Sequence, residues 1–247
     1  MDEAEWRICN EPMAMLHTLR EISTMRKLRL FTCACCRRVW PLLSDSRSRS
    51  VVEVAEQFAD GLADAKALEG AREAAYSVHA NTSSPDSGFA DSAKGMSRSN
   101  WEAAQAATMT GMAFSTLDDA IWCCQATVEQ ASLAAVSSAP AGTSESEAEA
   151  KERASQADVL RCIAGNPFRP LSNHSSWLKP TVVALAQTAY EKRSLPDGTL
   201  DNAQLAVLAD ALEEAGCTET SLLSHCRNPG SHVRGCWVVD LILSKDR

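Results

Sequence analysis

The stretch MRKLRLFTCACCRRVWPLL, residues 25–43, is the segment whose pattern decides most about the fold. Apolar residues recur along it at helical spacing, and Pro41 predicts that the helix ends or kinks near Trp40, because proline cannot continue the backbone hydrogen bonds. At about 100° per residue, one face of the helix carries Leu28, Phe31, Cys35, Val39 and Leu42. Cys36 lies at the edge of that face. Cys33 lies instead on a stripe of basic residues, namely Arg26, Arg29 and Arg37.

Helical patterns continue on both sides of this stretch, so the predicted fold class is all-α, an irregular multi-helix bundle. We predict one domain over residues 1–247, with sub-parts 1–80 and 150–247 and loops near 81–100 and 137–146. The middle is rich in alanine, the best helix former, and predicts one long helix over 101–135. The segment GCWVVDLILSK, residues 235–245, fits either a short strand or a buried helix, and the absence of alternating patterns elsewhere favours the helix.

Cys33 and Cys36 form a Cys-x-x-Cys pair, a spacing that suits a metal site or a redox pair. A thioredoxin-like role is disfavoured, because that chemistry places the first cysteine at a helix N-terminus beside a strand. The neighbouring arginines predict a lowered pKa for Cys33, since positive charge favours the thiolate. A thiol-dependent redox sensor or enzyme using Cys33 is therefore the weakest of three hypotheses, whereas Cys35 is read as a core residue.

A second group of metal-binding residue types lies in SHCRNPGSHVRGCW, residues 224–237. It holds His225, Cys226, His232 and Cys236, and the Pro-Gly turn brings its two ends toward each other. One interpretation is a zinc site built within this group or shared with Cys33 and Cys36. In the alternative, the two cysteines pack in the core and the histidines bond to loop carbonyls. The remaining cysteines are read as helix-packing residues: Cys9, Cys123, Cys124, Cys162 and Cys217.

The net charge of −8 argues against binding nucleic acid over the whole surface, because the phosphate backbone favours a basic face. Residues 20–49 are an exception to the acidic character, and they hold Arg20, Arg26, Lys27, Arg29, Arg37, Arg38, Arg47 and Arg49. This basic stretch either docks on acidic neighbours in the same fold or meets an anionic partner. No apolar run is long enough for a membrane span, and the acidic start of the chain is unlike a signal peptide. We expect a cytoplasmic protein with reduced thiols.

No phosphate-binding glycine loop, nucleophile elbow or metalloprotease motif occurs in the sequence. The leading functional hypothesis is therefore a non-enzymatic interaction or accessory protein whose partner is another protein, and the alternative is a zinc-binding protein. Asp240, inside the apolar run WVVDLIL, needs a partner if it is buried. Arg234 and Arg227 are the candidates that the sequence offers.

Several phrases carry a resemblance to a known group of sequences. They include RKLRLFTCACCRRVW (residues 26–40), VVEVAEQFADGLA (51–63), WLKPTVVALAQTAYEKR (177–193) and HCRNPGSHVRGCWVVDLIL (225–243). Together they resemble an uncharacterised bacterial protein family numerous in planctomycetes, over most of residues 4–80 and 155–245. The resemblance implies a cytoplasmic bacterial protein. No catalytic or binding residue is carried over from that family, because no activity is established for it.

Overall fold

The computed structural model describes residues 1–80, 96–169 and 175–245, and these ranges contain twelve α-helices and no β-strand. The predicted all-α class is therefore confirmed, and the apolar segment near the C-terminus forms a helix. The helices are α1 (Glu3–Ile8), α2 (Pro12–Leu19), α3 (Met25–Arg38), α4 (Ser46–Ala59), α5 (Ala65–Ala80), α6 (Arg98–Thr110), α7 (Leu117–Ser137), α8 (Glu145–Ala164), α9 (Pro180–Glu191), α10 (Asn202–Glu214), α11 (Thr220–Arg227) and α12 (Trp237–Leu243).

Helix α3 is the element around which the N-terminal helices assemble, since it packs against α4, α6, α7 and α8. Its N-terminus is capped by Thr24, whose side chain accepts a hydrogen bond from the backbone N–H of Lys27. The α-helix ends at Arg38, two residues before the position that Pro41 predicts, and the chain continues as a 3₁₀ turn over Trp40–Leu42. The proline thus sits in the tighter turn, where its missing N–H is tolerated.

Most of the basic stripe of α3 is buried together with its apolar face, and Arg26 is partly exposed. Arg29 and Arg37 are each only 4% exposed, and Cys33 is 1% exposed. The guanidinium of Arg29 donates to the backbone carbonyls of Thr110 and Met112. These neighbours satisfy a charge that would otherwise be costly to bury, so Arg29 lies inside the protein although its side chain is charged.

The predicted long helix over 101–135 is wrong, because the chain forms two helices there, α6 and α7, which pack against each other. Gly111 ends α6 at a place where an added Cβ would lie 2.7 Å from Val51 Cγ2, so the close approach requires a glycine. A capping box formed by Thr116 and Asp119 then starts α7. The predicted loop near 137–146 is confirmed between α7 and α8, whereas residues 81–95 of the other predicted loop lie outside the described residues.

The basic stretch of residues 20–49 docks on acidic neighbours of the same chain, as the first interpretation predicts. Its ion pairs are Arg20 with Asp118, Arg26 with Asp60 and Asp240, Arg37 with Glu56, Arg38 with Glu152, and Arg47 with Asp45. The expected partners of Asp240 are therefore wrong. Arg234 pairs with Asp60 instead, and Arg227 pairs with Asp210 and Glu213 on the surface.

The C-terminal helices form a second layer that positions the candidate site. Helix α10 packs against α9 and α11, while α12 packs against α9, α11 and α8. The indole N–H of Trp6 donates to the backbone carbonyl of Gly165 at 3.0 Å, which holds α1 to the end of α8. Among the residues that the structure describes, no helix is both long and apolar enough to cross a membrane. The prediction of a single domain stays a prediction.

Candidate metal centre

Four side chains with metal-binding atoms converge where α8, α11 and α12 meet. They are Cys162, His225, His232 and Cys236, and one ligand atom from each lies within 4.8 Å of the other three. Cys162, His232 and Cys236 are buried, with 3%, 2% and 0% of their surface exposed, and His225 is half-buried. No other group of three or more metal-binding side chains converges in this way within the described ranges.

The ends of three helices bring these side chains together. Cys162 lies in the last turn of α8, which ends at Gly165, and His225 lies in the last turn of α11. A turn after α11 carries His232, and Cys236 then stands immediately before α12. Gly235 precedes Cys236 with φ of +90°, and an added Cβ there would lie 2.9 Å from Leu30 Cδ1. A glycine is thus required for the turn to deliver Cys236 against α3.

The distances fit a tetrahedral site for a small ion. Cys162 Sγ lies 3.8 Å from His232 Nδ1, and His225 Nε2 lies 3.3 Å from Cys236 Sγ. Zinc–sulfur bonds of about 2.3 Å and zinc–nitrogen bonds of about 2.0–2.1 Å put neighbouring sulfur and nitrogen ligands about 3.6 Å apart in a tetrahedron. The four atoms therefore need to move by only about 1 Å to share one zinc ion.

The orientation of His232 is fixed by a contact outside the group of four. Its Nε2 lies 3.0 Å from the backbone carbonyl of Asn228 and donates to it. In the neutral imidazole, a proton on Nε2 leaves a lone pair on Nδ1, the nitrogen that faces Cys162. Histidine ligands usually donate their second N–H to a carbonyl or carboxylate in this way, because the bond fixes both the tautomer and the ring orientation.

The electrostatics of the group favour a thiolate on Cys236. Burial alone would raise the pKa of Cys236, but the hydrogen bond from Cys162 and the proximity of His225 and His232 outweigh burial and hold that pKa well below its ordinary value. Donation to Cys236 and burial raise the pKa of Cys162 well above its ordinary value. A thiolate and imidazole nitrogens are the soft and borderline ligands that zinc prefers. The arrangement can therefore hold a metal ion once Cys162 also gives up its proton.

The sequence places three of these four residues among its metal candidates, and the structure brings His225, His232 and Cys236 together. Cys226 is not one of the four: it is 1% exposed in the hydrophobic core, and burial raises the pKa of its thiol. Cys33 and Cys36 lie on α3 and are not members of the group.

The lowered pKa predicted for Cys33 is wrong. Burial, and next the charge of Glu56, raise the pKa of Cys33 to about 12, against the opposing effect of Arg29 and Arg37. The thiol is enclosed, with Sγ 3.8 Å from the backbone carbonyl of Val52. The redox or catalytic hypothesis for Cys33 therefore has no support in its surroundings, since a reactive cysteine is a low-pKa, accessible one.

Cys162 is the member of the group that the sequence does not single out. It lies far from residues 224–237 along the chain and belongs to an ordinary helical pattern, whereas Cys226 offers a sulfur ligand inside the cluster. Because the cluster already offers four candidate ligands, its spacing gives no reason to look for Cys162. Comparisons of the chain with protein-family models, with curated proteins and with solved structures find no match.

Proposed function

We propose that this chain is a zinc-binding protein whose Cys162, His225, His232 and Cys236 hold one structural zinc ion. The observation that carries the proposal is the convergence of two thiols and two imidazoles, with ligand atoms within 4.8 Å of one another, at the junction of three helices. Sulfur and nitrogen ligands in a tetrahedral set of two each are typical of zinc among the common metals.

The ligand set supports a structural role over a catalytic one. A catalytic zinc usually has three protein ligands and keeps its fourth position for water or substrate, whereas a structural zinc has four protein ligands. Three of the four candidate ligands are buried and the fourth, His225, is half-buried. The ion would link the end of α8 to α11 and α12, which are distant from α8 along the chain, and would stabilise that junction.

The first test is the metal content of the purified protein, measured by inductively coupled plasma mass spectrometry. We expect about one zinc per chain, because a structural site of this kind binds tightly enough to stay filled through purification. A content below about 0.1 metal ion per chain, also after incubation with zinc and removal of the excess, overturns the proposal.

Matched cysteine variants then locate the ion. Cys162→Ser and Cys236→Ser each remove a ligand and should reduce bound zinc by at least about tenfold, since serine is a poor zinc ligand. Cys226→Ser changes a cysteine next to His225 that lies outside the group and should retain the metal. Loss of zinc in Cys226→Ser, with retention in Cys162→Ser, would contradict the proposed ligand set.

A further inference from the structure

A large cleft borders the candidate metal centre. It has a volume of about 890 Å³ and runs between the α2–α3 turn on one side and helices α11 and α12 on the other, with the end of α8 at its base. His225 belongs to the wall of this cleft, whereas Cys162, His232 and Cys236 do not. His225 is therefore the one candidate ligand of the four that a molecule in the cleft contacts directly.

The other three ligand side chains are enclosed by the protein. Cys162 and His232 are 3% and 2% exposed, and Cys236 has no exposed surface. On the side of α3, the turn before Cys236 is so close to the helix that an added Cβ on Gly235 would lie 2.9 Å from Leu30 Cδ1. An ion that reached the group of four from this side would have to pass through the hydrophobic core, where a charge is costly to bury.

His225 stands between the cleft and the sulfur of Cys236. Its Nε2 lies 3.3 Å from Cys236 Sγ, and its ring centroid lies 5.4 Å from that of Trp237, which also lines the cleft. His225 is half-buried and lies in the last turn of α11. Partly exposed side chains change rotamer more readily than enclosed ones, and a rotation of His225 toward the cleft would uncover a path to the sulfur.

Carboxylates compensate much of the positive charge along the cleft. Arg161 pairs with Asp158 at 2.8 Å, and two further arginines of the lining both pair with Glu3. Glu219 adds a carboxylate to the lining, and the chain as a whole carries a net charge of −8. A metal cation therefore meets less repulsion in the cleft than its arginines alone would produce, and the acidic protein attracts cations from solution.

We propose that this cleft is the route by which zinc reaches and leaves the group of four, with His225 as the ligand that detaches first. A chelating molecule in the cleft takes the coordination position that His225 gives up. The remaining zinc–ligand bonds are then exchanged one by one for bonds to the chelator, and the released cysteines take up protons from water. No oxidant or reductant takes part. The inference rests on the proposed zinc site and adds the path and the order of exchange.

The route is tested on the purified, zinc-loaded protein with two chelators that share a head group. One is the monoethylamide of EDTA, and the other is the same amide linked to dextran, which is too large to enter the cleft. Zinc left on the protein is measured by inductively coupled plasma mass spectrometry after rapid gel filtration.

We expect the free chelator to remove zinc at a rate that rises with its concentration, and at least about fivefold faster than the dextran form at equal chelator concentration. Equal rates for the two forms overturn the route. Failure of the protein to hold zinc at the outset would instead overturn the proposed site itself, so the two failures are distinguishable.

Histidine variants test which ligand faces the cleft. His225→Ala leaves three ligands and opens a coordination position toward the cleft, whereas His232→Ala opens one in the enclosed part of the site. Imidazole added to the buffer enters the position that is open to the cleft. It should slow zinc loss from His225→Ala at least about fivefold more than from His232→Ala. Equal rescue of the two variants contradicts the proposed order of release.

Substitutions that narrow the cleft locate the route. Ser221→Trp places an indole on the cleft wall one helical turn before His225, and Ser50→Trp places one on the exposed surface of α4. Ser221→Trp should retain zinc but lose it to the free chelator at least about threefold more slowly, whereas Ser50→Trp should follow the wild type. An unchanged rate in Ser221→Trp, with its zinc content and melting temperature retained, contradicts the assignment of the route.

Discussion

Arg37 and Arg193 both donate to the carboxylate of Glu56, which is 3% exposed. Burial opposes ionisation of this group, but the two guanidinium groups outweigh burial and lower the pKa of Glu56 to about 2, against 4.5 ordinarily. A carboxylate with a pKa lowered on folding stabilises the native state at pH values above its ordinary pKa. That stabilisation is lost as the pH falls from about 4.5 through about 2.

We expect the free energy of unfolding to fall by about 3 kcal/mol between pH 5 and pH 2 through Glu56 alone. Urea unfolding curves recorded across this pH range give the free energy of unfolding of wild type and of Glu56→Gln. The difference between the two free energies is the contribution of Glu56. Glu56→Gln should be less stable near neutral pH and should show a flatter dependence on pH. Glu53→Gln, on the exposed side of the same helix, should follow the wild type. Parallel curves for wild type and Glu56→Gln would contradict the prediction.

Asp240 and Arg26 are the second buried pair, with Oδ2 of the fully buried carboxylate 2.6 Å from Nη1 of the guanidinium. Asp240→Ala should lower the free energy of unfolding by about 3–5 kcal/mol, because it leaves a buried cation without this partner. Asp210→Ala removes one exposed partner of Arg227 and should change stability by less than about 1 kcal/mol. Urea denaturation at pH 7 measures the free energy of unfolding of both variants. Similar losses in the two would argue against a larger contribution from the buried pair than from the exposed pair.

At the scale of residues, the sequence predicts side-chain type and helical face but not the depth of burial. Cys35 is in the core as predicted, yet Cys33 is equally enclosed although it shares a stripe with arginines. A helical wheel assigns charged residues to solvent. It cannot foresee that Glu56 and several backbone carbonyls, contributed by other helices, will satisfy those arginines inside the protein. The same limit hides Cys162, whose role depends on residues distant along the chain.

At the scale of elements, the turn before α12 depends on Gly235. Gly235→Ala should lower the free energy of unfolding by about 2–4 kcal/mol and reduce zinc retention, because it combines strain at positive φ with a contact to Leu30 that displaces Cys236. Gly216→Ala is the matched control, since Gly216 has φ of +93° at the end of α10 and nothing within 4 Å of an added Cβ. The free energy of unfolding of Gly216→Ala should fall by only about 1 kcal/mol.

Thermal unfolding and zinc content of the two glycine variants check this prediction together. Equal losses in both would mean that backbone strain alone acts and that the approach of Leu30 to Gly235 contributes nothing.

Helix boundaries follow local signals where those signals are strong. The loop between α7 and α8 agrees with the sequence, whereas the break between α6 and α7 was not predicted. Alanine-rich composition favours helix on both sides of Gly111. The break follows from the close packing of that glycine against Val51 and Arg72, which are tertiary neighbours and leave no periodic mark in the sequence.

At the scale of the whole molecule, the proposed zinc ion should stabilise the C-terminal helices α11 and α12 more than the N-terminal helices α3 and α4. Removing it with a chelator should increase amide hydrogen exchange at least about tenfold in α11, the turn over residues 228–236 and α12. Helices α3 and α4 are held by buried ion pairs and the hydrophobic core, so they should change little. Mass spectrometry of exchanged peptides measures this, and a uniform increase over all helices would show that the ion has no local role.

The broader predictions drawn from composition remain predictions at this scale. They are a non-enzymatic interaction or accessory role, a protein partner and a cytoplasmic location. The structure adds one observation about partners. Most arginines of the basic stretch over residues 20–49 form ion pairs with carboxylates of the same chain. Charge that is paired internally is less available to an anionic partner.

The spacing of the four ligands has a consequence for biosynthesis. Cys162 leaves the ribosome well before residues 225–236, since α9 and α10 are made between them. The nascent chain therefore cannot assemble the complete proposed site while α1–α8 are emerging, so any folding of those helices at that stage takes place without the ion. If the four side chains bind zinc as proposed, the ion would bind late, and zinc shortage would affect the final step of maturation rather than the first.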